Sequence, residues 1–237
     1  SAIVPFSTIV KSRRCPASER SGRPEESMSL SSYLERHFVD KATFAGLAGI
    51  SVERLDQLVG MGAVPSPTYV CRDSTISSAV FGQTEINEPL QGEYFRPECL
   101  RWVRIAAHAD SGKEREAVLG QLTEELEEAL RAADVEPSGI QSRIQNYLPN
   151  FWNGTFGLCV ADPSTGAGIV TKELLQERLT SLTGNGRDPA PAGITKTGLL
   201  ALIDDYAKAA MPFSPAEYAR SSRKRLVDDL RPGVAAA

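Results

Sequence analysis

The stretch from Lys113 to Ala133 most restricts what this chain can become. Val118, Leu122, Leu126, Ala129 and Ala133 recur there at i+4 and i+3 steps, with Glu and Arg between them. That is the period of a helix with one buried face, whereas a strand returns to the same face every second residue. Such a helix must lie against others, and the same period recurs along the chain. Leu30, Leu34 and the pair His37/Phe38 share a face after Ser29; Asp40 can cap a helix over 41–48 that Gly49 ends; Ser51 can cap another over 52–60. Pro97 suits the first turn of a helix running to Ala109 that buries Leu100, Trp102, Val103 and Ala106. Further helices are expected from Ser138 to about Gln145, from Ile169 to Leu182 before Gly184-Asn185-Gly186, and from a Thr195 cap to about Ala210. Ser214-Pro215, with Glu217 in the capping-box position, opens a last helix to about Leu230. The fold class is therefore mainly α: a helical domain with an N-terminal helix-turn-helix-like unit and a small amount of β-strand, placed around Tyr69 and Phe156.

Three regions follow from these patterns. Residues 1–28, rich in Ser, Arg, Pro and Glu without a sustained period, are expected to be a disordered leader, with Met28 an alternative start. Residues 29–67 form the helix-turn-helix-like unit, which the run Gly62-Ala63-Val64-Pro65-Ser66-Pro67 forces into an extended exit. Residues 68–237 form the mainly helical domain. The helix in the recognition position, VERLDQLVG, sets one Arg against Glu53 and Asp56, and the chain carries a formal charge of −4. It lacks the basic surface that phosphate contacts need, so nucleic acid is not an expected partner. No apolar run approaches the roughly 20 residues that span a bilayer, which points to a cytoplasmic protein without a membrane partner. Cys15, Cys71, Cys99 and Cys159 are far apart, with no C-x-x-C pair and no nearby His, so neither a disulfide scaffold nor a zinc site is expected.

Chemistry concentrates in Asn146–Lys172. Aromatics are 7% of the chain, yet Tyr147, Phe151, Trp152 and Phe156 crowd here beside Gly154 and Gly157. TFGLCV, between turn signals at Asn153-Gly154 and Asp162-Pro163-Ser164, reads as a short extended segment carrying Cys159. Cys159 is either a small buried hydrophobe or a pocket residue. No G-x-S-x-G, P-loop, H-E-x-x-H or G-x-G-x-x-G occurs, which removes local support for hydrolase, kinase and nicotinamide-dehydrogenase functions. Binding remains, or catalysis in which a bound cofactor performs the hard step. Of the two histidines, His108 shares a side with Arg101 and Arg104, whereas His37 lies on an apolar stripe, where a neutral imidazole can ligate a metal or haem iron. Cys159 is the alternative axial ligand, as a thiolate. The plain alternative for each is a packing residue. With no C-x-x-C-H, any haem would be non-covalent haem b.

The segments SLSSYLERHF, GISVERLDQLVGMGAVPSPTYV, GEYFRPECLRWV, NGTFGLCVADPST with the following KE, and PFSPAEYARSSRKRLVDDL cover most of the chain from Leu30 onward. They resemble a bacterial family of natural-product biosynthesis proteins that includes the haem protein of the D-cycloserine pathway. The resemblance implies haem-dependent hydroxylation of L-arginine to Nω-hydroxy-L-arginine, with O2 or peroxide as oxidant and room for an electron donor and a homo-oligomer. No haem-ligand motif matches residue by residue, so His37 and Cys159 both stand. A guanidinium substrate is best fixed by a carboxylate. Of Asp162, Glu173, Asp204 and Asp205, the resemblance favours Glu173 as the substrate-binding residue, because it follows the aromatic stretch directly. Arg220, Arg223 and Arg225 could meet haem propionates. The alternative function is a non-enzymatic regulatory or protein-interaction role for the helix-turn-helix outline.

Overall fold

A computed structural model describes residues 28–237; the leader expected over residues 1–28 lies, but for Met28, outside the described residues. Among the described residues the chain forms ten α-helices and one five-stranded antiparallel sheet. It is mainly α with some β. The first helices start and stop where their caps stand. Ser29, Asp40 and Ser51 each accept a backbone N–H three residues on, opening α1 (Leu30–His37), α2 (Lys41–Ala48) and α3 (Val52–Gly60), and Gly49 ends α2 at φ 75°.

The sheet was mostly hidden in the sequence. Strands β1 (Val39–Asp40), β2 (Tyr69–Arg72), β3 (Thr75–Ser78), β4 (Gly82–Glu85) and β5 (Gly92–Phe95) lie in the order β1-β5-β2-β3-β4. None exceeds four residues, and β4 is polar and largely exposed, so it has no apolar-polar alternation to betray it. β5 pairs with both β1 (Val39↔Phe95) and β2 (Tyr69↔Tyr94), which ties the first helices to the rest of the chain.

The long amphipathic helix is α5 (Glu114–Ala132). It packs between α4 (Leu100–His108), α6 (Pro137–Trp152) and α8 (Gly166–Leu182) and buries Val118, Leu122, Leu126 and Leu130 completely. Each such side chain stabilises the fold by roughly 1.5–3 kcal/mol. One core runs from Leu30 through Trp102 and Leu126 to Phe213. A second, smaller one joins Leu179 of α8, Leu199, Leu202, Ile203 and Tyr206 of α9 (Lys196–Ala209), and Leu226, Leu230 and Val234. α8 belongs to both.

Two expectations are corrected. TFGLC is not extended: Thr155–Cys159 is a short helix, α7, and only Val160 makes an isolated bridge, to Ala210. Gly154 at φ 84° turns the chain between α6 and α7, and Gly157 then lets α7 press against Thr68 and Arg96. A helical turn satisfies part of the segment's backbone within itself. The continuous helix expected from Pro215 to Leu230 is broken into a 3-10 turn (Tyr218–Arg220), a π turn (Lys224–Asp228) and α10 (Leu230–Ala236). Glu217, read as a local cap, is drawn inward instead. Its carboxylate accepts from Tyr69 Oη (2.7 Å), Ser78 Oγ (2.6 Å) and Ser214 Oγ (3.1 Å), pinning this segment to the sheet.

Candidate functional site

α7 ends on a clip. Met211 N donates to Cys159 O (3.1 Å) and Ala161 N to Ala209 O (2.9 Å), so Cys159 is held against the exit of α9. α8, capped by Thr165, brings Lys172 and Glu173 beside it. Lys172 shares a helix face with Ile169 and Leu179 and is 2% exposed. A lysine on that apolar stripe is the sequence signal by which it could have been found. Its Nζ lies 2.7 Å from Glu173 Oε1 and 3.4 Å from Cys159 Sγ. Burial opposes the ammonium, but its ion pair with the Glu173 carboxylate holds Lys172 protonated at neutral pH. Burial pushes the Cys159 thiol up, partly offset by Lys172, so the sulfur is a thiol at neutral pH.

These three residues line one cavity of about 290 Å³, together with Gln176, Phe81, Phe156, Phe213, Ser222, Arg220 and Arg225. Two of the sequence candidates, Cys159 and Glu173, are therefore brought together, and two of the three C-terminal arginines join them. Arg223 is not there; it caps α9 by donating to Ala207 O (2.7 Å) and Ala210 O (3.1 Å). Asp162 holds the turn at Ser164, Asp204 pairs with Arg231 and Asp205 with Lys208, and none lines the cavity. Tyr206 backs the polar floor, its hydroxyl 2.9 Å from Ser222 Oγ and 3.1 Å from Gln176 Oε1.

His37 is elsewhere. Its Nε2 is buried without a hydrogen-bond partner among the described residues, and burial, then Arg96 and Arg36, bring its pKa down to about 4, so the imidazole is neutral. Arg96, 4% exposed and not singled out in the sequence, spans from His37 O (3.4 Å) to Ala161 O (2.9 Å) and Met211 Sδ (3.0 Å). The exposed His108 places its Nδ1 2.7 Å from Arg104 O, one turn earlier in its own helix.

A haem needs both a donor atom free to reach iron and a slot for the macrocycle. The donor state fits at His37, but that nitrogen is sealed and His37 does not line the cavity. The open space is at Cys159, but there the sulfur faces an ammonium and the walls are charged. A volume of about 290 Å³ sits at the lower end of small-molecule sites, near amino-acid size. As these side chains stand, they do not fit a haem. Among the described residues no group of three or more His, Cys, Asp or Glu could hold a metal ion, and no helix is long and apolar enough to cross a membrane.

The fold and cavity define a mainly helical protein with a small mixed-charge pocket where two cores meet. The chain belongs to a family of unknown function, DUF6058, which it matches over residues 108–234. That span holds every charged residue of the cavity; only Val80 and Phe81 come from outside it. No curated protein and no solved structure matches the chain.

Proposed function

We propose that this chain binds a free amino acid in the cavity between α7, α8 and the C-terminal segment, with L-arginine, the substrate implied by the sequence resemblance, as its ligand. One observation carries the proposal: a half-open pocket of amino-acid size is lined by a carboxylate, Glu173, and by the cations Lys172, Arg220 and Arg225. A zwitterion needs both signs. Glu173 Oε1 is taken by Lys172, which leaves Oε2 to accept from a guanidinium in one hydrogen bond rather than two. Hydroxylation of that guanidine, as a step of natural-product biosynthesis, is the activity proposed for the bound substrate. The haem that would supply the oxygen chemistry has no comparable support from the side chains, so no step is assigned to it.

The regulatory alternative draws less from the structure. Lys41 is engaged by Asp56 and Glu93, and Arg54 by the buried Glu114, so the basic groups around α2 and α3 face internal partners.

Calorimetric titration of the full chain with L-arginine and L-citrulline tests the binding. Citrulline keeps the shape and loses the charge, so it should bind at least about tenfold more weakly, and Glu173→Gln should erase that preference. Absence of saturable L-arginine binding would end the proposal. Mass spectrometry for a product one oxygen heavier, formed with dioxygen and a reductant or with peroxide, tests the hydroxylation.

A further inference from the structure

The cations of the cavity differ in what already satisfies them. Lys172 holds Glu173. Arg220 donates to Thr84 Oγ1 (2.6 Å) and lies 4.9 Å over the Phe81 ring. Arg225 has nothing: its Nε is buried without a partner, and its guanidinium makes no hydrogen bond or ion pair among the described residues. An unpaired guanidinium half-withdrawn from water is costly unless something anionic meets it.

Its placement is also built. Arg225 sits in the one-turn π-helix Lys224–Asp228, a rare geometry that recurs at functional sites. From behind, Gly186 packs so closely that a Cβ there would stand 2.8 Å from Arg225 O. The backbone is thus held while the side chain is left without a counter-charge at the wall of a cavity whose one carboxylate is already engaged.

We propose that Arg225, with Arg220 at the rim, is an anion subsite that takes the carboxylate of the cavity's ligand. The buried Nε of Arg225 is out of a ligand's reach, but the two terminal nitrogens of the planar guanidinium can meet a carboxylate in two parallel hydrogen bonds. In the setting of the amino-acid reading, on which this assignment rests, the α-carboxylate goes to Arg225 and the cationic end to Glu173. The cavity then selects against amines that lack a carboxylate.

Three probes separate the two ends: L-arginine, agmatine, which lacks the carboxylate, and pentanoate, which lacks the cation. In the ¹⁵N-labelled full chain, the Arg225 Nε–H resonance should shift with L-arginine and pentanoate and stay in place with agmatine. L-Arginine should bind at least about tenfold tighter than agmatine. Arg225→Met should remove that difference without weakening agmatine; Arg225→Lys, which keeps the charge, should restore part of it; Arg223→Met should preserve it. The subsite is overturned if pentanoate and L-arginine leave the Arg225 resonance in place, or if Arg225→Met weakens agmatine as much as L-arginine. If pentanoate shifts Arg225 while neither L-arginine nor agmatine binds, the subsite stands and the L-arginine reading falls.

Discussion

Glu217 and His37 show at the residue scale how burial shapes chemistry, and they pull stability in opposite directions with pH. Burial raises the Glu217 carboxyl above its ordinary 4.5, because its three hydroxyl donors bring no counter-charge. The native state therefore binds the proton more tightly than the unfolded chain. Stability from this group is complete below pH 4.5 and declines as pH rises toward the raised native value. His37 is depressed from 6.5 to about 4, so its contribution is complete above pH 6.5 and is lost as pH falls through the interval between them. Urea unfolding of wild type, Glu217→Gln and His37→Gln at several pH values should show these slopes removed one at a time. Identical slopes in all three proteins would mean that neither group titrates as its surroundings dictate.

At the element scale, glycines separate local propensity from tertiary demand. Gly154 holds φ 84°, and a Cβ there would lie 2.8 Å from Ser66 O. Gly154→Ala should cost more than about 1 kcal/mol, because both strain and a backbone contact oppose it. Gly120, on the exposed side of α5, meets nothing within 4 Å, so Gly120→Ala should stabilise by roughly 0.5–1 kcal/mol. Thermal denaturation of the two variants should move the midpoint in opposite directions; a shift of the same sign would contradict the local geometry. Capping at Ser29, Asp40, Ser51, Thr165 and Thr195 is set by neighbouring residues. The break-up of the last expected helix is not, since it depends on the distant partners Tyr69 and Ser78 drawing Glu217 inward.

For the whole molecule, charge decides what the outer surface meets. The formal charge is −4, and Lys41 and Arg54 near the helix pair α2–α3 are engaged by Asp56, Glu93 and Glu114. A fluorescent DNA duplex should show no anisotropy change with the full chain at about 0.15 M salt. Salt-sensitive binding there would revive the regulatory role and assign the helix pair to it. The two hydrophobic cores share α8, and the candidate cavity opens where that helix passes from one to the other. Its lining runs from Val80 to Arg225 and draws on elements far apart in sequence.

The sequence by itself determined the helical class, the positions of most helices and their caps, because the 3.6-residue period and side chain-to-backbone bonds act within a few residues. It also singled out Cys159, and the family resemblance added Glu173; both line the cavity. Tertiary structure alone decided that TFGLC is helical, that five very short strands form one sheet, and that Lys172 is buried between a thiol and a carboxylate. It alone separated His37 from Cys159 and left Arg225 without a partner while Arg223 was consumed as a cap. Those outcomes depend on which distant groups arrive to satisfy or abandon a polar atom, and that information is carried by the packing of α7, α8, α9 and the sheet together.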